Sequence, residues 1–224
     1  ESARGIEGVT APKTEYGISY NVIQNLTARQ NLRPPFSDGR KIAAYFLGGF
    51  MTGVRGVGVA AALQKQGLSY AFDEVYGSSA GFASASYFLT PNGPNLALDS
   101  MADVDMWKGE KLNLRNPFKV TNPDYYLSII DKVKCLKVES VLSHPSRLFG
   151  RVRNSKNKEC KFIEAGRGSQ EHYVDILQAT MKLPYLSPGS IAIDGEKYKD
   201  PASKADQIAS VDELLAGDAT DIVL

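Results

Sequence analysis

The segment Gly77-Ser78-Ser79-Ala80-Gly81 constrains this chain more than any other part of it. It stands between an apolar run ending in Val75-Tyr76 and a run of small residues, Ala83-Ser84-Ala85-Ser86. G-x-S-x-G in that setting is the pattern of a sharp strand-to-helix turn that lifts a serine hydroxyl above a sheet. Glycines flank the serine because side chains there would strike neighbouring backbone. The following helix directs its first amides and the positive end of its dipole toward the serine oxygen. A Gly/Ser-rich turn without chemistry uses the same letters, so the rest of the chain has to decide.

A second glycine-rich segment, Gly48 to Gly56, also follows an apolar run, Lys41–Leu47, and opens a small-residue helix over Gly53–Gln66 that Gly67 can cap. Glycines let successive backbone N–H groups turn inward and cradle an anion. Beside the serine turn, such a nest would hold the oxyanion of a tetrahedral intermediate. A phosphate loop is the competing reading, but Val54 and Arg55 stand where that loop needs Lys and Ser/Thr. Strand, loop, helix, strand, turn and helix make a βαβα unit with parallel strands. Open sheets of this kind place their sites at the carboxyl ends of the strands.

Residues 1–40 read as an arm or extension with one short helix, closed by Pro34-Pro35 and Ser37-Asp38-Gly39. Residues 41–224 read as one domain. Ser69–Tyr76 leads into its second strand, and its second helix is expected over Ala80–Leu89. Further expected elements are a helix begun by Asn122-Pro123 and continued by Tyr126, Ile130 and Val133, two strands over Leu148–Ile163 with a turn at Asn154–Lys158, and a helix over His172–Lys182. A hairpin over Ile191–Lys199 turning on Asp194-Gly195, a helix over Val211–Ala216 and a last strand fragment complete the order. The chain begins with Glu1 and ends in an apparent strand, Asp221-Ile222-Val223-Leu224, so a truncated domain is expected.

With 43% hydrophobic and 23% charged residues, the composition suits a normal core, and a net charge of +1 selects no partner. Between Met101 and Lys161, 13 Lys/Arg face 7 Asp/Glu, an excess that could favour an anionic lipid surface or a solvated face. Cys135 and Cys160 show neither metal-ligand spacing nor a disulfide framework, which fits a reduced, cytoplasmic setting. No apolar run is long enough to span a bilayer.

Activation of the serine cannot be read from the histidines. His144 lies in Ser-His-Pro and His172 near a helix start, and only Asp131 with His172 would satisfy the order Ser, Asp, His. A Ser–Asp pair needs neither histidine.

At this point a resemblance is plain. Leu47-Gly48-Gly49 through Arg55-Gly56, Val75 to Gly81, Ser86-Tyr87-Phe88-Leu89, Asn122 to Tyr126, and Leu183-Pro184 to Asp200 resemble the patatin-like phospholipases over roughly Lys41 to Leu224. The resemblance implies a three-layer α/β/α fold with a mainly parallel sheet and a Ser–Asp dyad that hydrolyses lipid acyl esters through an acyl-enzyme. Ser79 takes the place of the nucleophile. Asp200, in Tyr198-Lys199-Asp200-Pro201-Ala202, takes that of the base, while Asp194-Gly195 reads as a turn. Gly48, Gly49 and Gly53 take the oxyanion loop, and Arg55 would bind an anion or fix that loop. No metal or organic cofactor is implied. The expected partner is a lipid or small acyl ester, with peripheral membrane contact and without nucleic acid. Phe50, Met51, Trp107 and Phe118 could line an acyl channel.

Two departures keep alternatives open. Pro201 replaces a glycine after the aspartate, and Phe50-Met51-Thr52 lengthens the oxyanion loop. A non-catalytic lipid-binding module of the same fold, a serine esterase with a Ser-His-Asp triad, and a nucleotide-binding domain are the rivals.

Overall fold

A computed structural model of the chain describes residues 20–49, 53–102, 136–166, 168–184, 187, 189–201 and 203–224. The helix expected from Asn122, together with Cys135, Phe50, Met51, Trp107 and Phe118, lies outside the described residues.

The elements are α1 (Tyr20–Ala28), β1 (Ile42–Phe46), α2 (Gly53–Lys65), β2 (Glu74–Gly77), α3 (Ala80–Phe88), α4 (Gly93–Ala102), α5 (Val138–Leu142), β3 (Arg147–Asn154), β4 (Cys160–Glu164), α6 (Gln170–Met181), β5 (Ile191–Ile193), β6 (Glu196–Lys199), α7 (Lys204–Ala216) and β7 (Asp221–Val223). They form one seven-stranded sheet with helices on both faces. β7, β1, β2 and β3 run parallel, as expected of βα units. β4, β5 and β6 run antiparallel to their partners.

Every residue of β1 is buried, because its two sides feed two cores. Ile42, Ala44 and Phe46 face one core, with Val75, Leu148 and Val152 from the next strands and Phe82, Phe88, Tyr173 and Ile176 from α3 and α6. Ala43 and Tyr45 face the other, with Tyr76 and with Val211 and Leu214 of α7. The strand's period of two thus makes a three-layer sandwich from one apolar run.

The connections follow local chemistry. Gly67, at φ 71°, ends the turn after α2, and Leu68 N–H reaches back to Leu63 C=O at 2.9 Å. Asp194 and Gly195 both have positive φ, 51° and 82°, as a two-residue hairpin turn requires. Ser203 caps α7 by accepting from Asp206 N–H at 3.0 Å. β2 begins at Glu74, near the end of the Ser69–Tyr76 segment expected to lead into it. Asp73 is drawn aside, its carboxylate accepting from Arg29 at 2.7 Å and from Ile42 N–H at 2.8 Å.

β3 has three partners and only two edges. Backbone groups of successive strand residues point to opposite edges. Asn154 N–H donates to Glu159 C=O (2.8 Å) and Leu148 C=O accepts from Ala165 N–H (2.7 Å), so the even residues face β4. Arg147 N–H donates to Asp73 C=O (3.0 Å) and Ser155 N–H to Lys197 C=O (2.7 Å), so the odd residues face both β2 and β6. β2 and β6 therefore share one edge of β3 and approach each other end to end. β2 stops at Gly77, level with Gly150, and β6 stops at Lys199, level with Arg153. The gap is about 10 Å of β3.

Candidate active site

Continuing both registers brings Ser79 and Asp200 to the level of Val152 on the same edge. Two chains cannot fill one place on a strand, so each turns away there: Ser79 into α3, Asp200 into the link to α7.

Ser79 sits at φ 53° and ψ −131°, a conformation rarely taken by a residue with a side chain. It is fixed from both sides. Ser78 N–H donates to Phe46 C=O at 3.2 Å, while Gly81 and Phe82 N–H close onto Ser78 and Ser79 C=O at 2.9 Å each. The flanking glycines are sterically required. A Cβ at Gly77 would come within 2.7 Å of Phe82 N, and one at Gly81 within 2.7 Å of the Leu47 carbonyl carbon. Sheet and helix are in backbone contact at the turn, and the hydroxyl-bearing residue remains half-buried at its crest. Because Gly81 and Phe82 N–H are engaged, Ala80 N–H at the first helical position remains the donor without an intrahelical carbonyl.

Gly48 packs directly on this turn. A Cβ there would lie 2.8 Å from Ser78 O and 2.9 Å from Ser79 Cβ. Gly49 follows with φ 155°, and Gly53 is buried as the first residue of α2. Arg55, in the first turn of α2, is exposed. The contact with Ser79 thus falls on Gly48.

Asp200 is 1% exposed. Its N–H donates to Lys182 C=O at the end of α6, at 3.2 Å, and the buried Pro201 after it leads into the Ser203 cap. Asp194 is an exposed hairpin residue, as its sequence context indicates.

Neither histidine reaches this edge. His144 precedes β3, stacks on Tyr70 with ring centroids 4.7 Å apart, and accepts from Ser146 N–H through Nδ1 at 3.1 Å. Burial, aided by Arg33, lowers its pKa to about 4, so it is neutral at pH 7. His172 lies in the first turn of α6 with Nε2 3.2 Å from Glu164 O. Lys182 at the far end of that helix is the residue that meets Asp200, which puts His172 about 15 Å of helix away. Burial, with Asp206 nearby, pushes the Cys160 thiol up to about 11, which leaves it protonated and unreactive. Among the described residues no group of three His, Cys, Asp or Glu side chains could hold a metal ion.

A family model described as patatin-like phospholipase matches residues 46–206, from the last residue of β1 to the first turn of α7. This chain belongs to the patatin-like phospholipase family. Among solved structures, the crystal structure of VipD from Legionella pneumophila is similar, with 13% identity and a TM-score of 0.54. The likeness covers 73% of this chain and 46% of VipD, so the chain spans about half of that protein's length, and it concerns the fold alone. No curated protein matches the chain. The patatin-like family implies lipid acyl hydrolysis, and the α/β sandwich is the expected one. Among the described residues no helix is long and apolar enough to cross a membrane.

Proposed function

We propose that this patatin-like chain is a phospholipase A or lysophospholipase acting through Ser79 and Asp200. Ser79 Oγ attacks the ester carbonyl while the Asp200 carboxylate takes its proton. The oxygen that gains charge is met by amides of the Gly48–Gly49 segment and by Ala80 N–H, and Asp200 returns the proton to the departing alcohol. Water activated by the same carboxylate then releases the acyl group. Arg55 holds an anionic part of the substrate or steadies the loop.

The observation that supports this reading is the shared edge of β3, where β2 ends at Gly77 and β6 at Lys199 with Ser79 and Asp200 just beyond those two ends. Burial of Asp200 suits the role, since it keeps bulk water away from the carboxylate. The positions of the histidines disfavour a Ser-His-Asp arrangement.

The test is labelling by a fluorophosphonate, located by mass spectrometry, on the native chain, Ser79→Ala and Asp200→Asn. Modification of Ser79 that is lost in the first variant and sharply reduced in the second supports the dyad. A folded native chain that does not label at all overturns it in favour of the lipid-binding module suggested by Pro201.

A further inference from the structure

The face of the sheet that α7 covers carries an unexplained polar cluster directly behind the serine turn. Tyr45 lies on this face, with Tyr76 and Phe149. Side chains alternate along a strand, so Ser78 follows Tyr76 onto it and Arg151 follows Phe149. Ser78 continues the ladder, its N–H donating to Phe46 C=O at 3.2 Å, and it comes one step after the Gly77–Gly150 pair. Tyr45, Ser78 and Arg151 are 2, 1 and 3% exposed. Among the described residues, the Tyr45 hydroxyl, Ser78 Oγ and Arg151 Nε have no hydrogen-bond partner.

The three lie together. Tyr45 meets the Phe162 ring edge-on, with centroids 5.8 Å apart, and the Arg151 guanidinium lies 4.7 Å over that same ring. Burial raises the Tyr45 pKa, against the pull of the Ser210 and Ser78 hydroxyls and of Arg151. Ser210 is engaged elsewhere, donating to Asp206 C=O at 2.6 Å. A buried polar group left without a partner costs about 1–3 kcal/mol. Arg151 has a use in folding, since it ion-pairs with Glu213 of α7. The two hydroxyls have none, and Phe and Ala would fill the same places, as Phe149 and Ala43 do on this face. What sets the position apart is Gly48, where an added Cβ would stand 3.1 Å from Ser78 Oγ as well as 2.9 Å from Ser79 Cβ.

We propose that Ser78 and Tyr45 are positioning residues for the chemistry of Ser79. The Ser78 hydroxyl bonds the peptide groups of the Gly48 segment as that segment closes on the oxygen gaining charge, and the Tyr45 hydroxyl donates to Ser78 Oγ from behind. The two hydroxyls lower the stability of the resting fold and hold the reacting geometry. This inference rests on Ser79 being the nucleophile.

The experiment measures the rate of fluorophosphonate labelling at Ser79 against probe concentration, with urea unfolding, for the full chain, Ser78→Ala, Tyr45→Phe and the double variant. The limiting labelling rate should fall about 10–100-fold in Ser78→Ala and less in Tyr45→Phe, with the half-saturating probe concentration unchanged. The unfolding midpoint should stay level or rise, because a buried group without a partner has been removed. The double variant should label no more slowly than Ser78→Ala, since Tyr45 acts through Ser78. A native limiting rate in Ser78→Ala overturns the inference. So does a rate that falls only as far as the folded fraction does, which is the mark of a packing role. Losses that add in the double variant remove Tyr45 from it. A folded native chain that does not label removes the hydrolase reading and this inference with it, whereas equal labelling of the native chain and the variants removes this inference alone.

Discussion

Gly48 and Ser79 are so close that a methyl group on the first would stand 2.9 Å from the Cβ of the second. That contact makes Gly48 a sensitive site for the chemistry. Gly48→Ala is expected to displace the glycine-rich segment from the serine, with a loss of about 10²–10³ in kcat. Steady-state kinetics on a short-chain ester, with a thermal melt to establish folding, checks this; unchanged kcat would remove Gly48 from the oxyanion loop.

Gly81 should show the opposite balance. Its added Cβ would press on the backbone of Phe46 and Leu47, where no side chain can move aside. Gly81→Ala is expected to cost about 1–3 kcal/mol in folding. Chemical denaturation measures it, and a midpoint equal to that of the native chain would contradict the packing described.

Asp200→Asn keeps the shape of a buried side chain and removes its charge. It is expected to lower kcat by about 10²–10⁴, with little change in substrate binding. Ser79→Ala combined with Asp200→Asn should be no worse than Ser79→Ala alone, because the proposed dyad has both residues act on one step. Additive losses would argue that Asp200 acts elsewhere.

His144 gives a pH test of stability. Its pKa falls from 6.5 in the unfolded chain to about 4 in the fold, by burial and the nearby Arg33. Between those values the unfolded chain binds more protons, so stability rises with pH. The contribution is complete above pH 6.5 and is lost as pH falls toward 4. His144→Phe, which preserves the stack on Tyr70, should flatten urea-unfolding stability across that window. A slope as steep as in the native chain would assign it to other groups. Asp38, held near 2 chiefly by its hydrogen bonds from Arg29, contributes its loss below pH 4 and does not interfere.

Arg29 is 1% exposed and ties Asp38, Asp73 and the carbonyls of Ala71 and Arg40 together. Arg29→Met leaves those groups without their cation, and a loss of about 3–5 kcal/mol is expected from chemical denaturation. A loss under about 1 kcal/mol would mean that water replaces the guanidinium.

The strand-to-helix turn at Ser79 was legible in the sequence because its requirements are local: a glycine before, a glycine after, a strand and a helix on either side. The βαβα unit and the Asp194-Gly195 hairpin were legible for the same reason. The opening turns of α7 were not, since Ala205, Ile208 and Ala209 make only a weak apolar stripe among polar residues; the Ser203–Asp206 cap was the further available sign. α4 and α5 also escaped, being short and set among polar residues. Ala80 as an amide donor could be foreseen only from the geometry of the turn. The meeting of β2 and β6 on one edge of β3 is a matter of register, and no single stretch of sequence encodes it.

That end-to-end meeting also sets the order of events at birth. As the chain leaves the ribosome, β1, β2 and the serine turn come first, and β6, with Asp200 just after it, follows much later. Until β6 closes onto β3, the serine stands opposite an empty length of strand. On the proposed dyad, a half-made chain would thus hold that chemistry in abeyance until β6 joins β3.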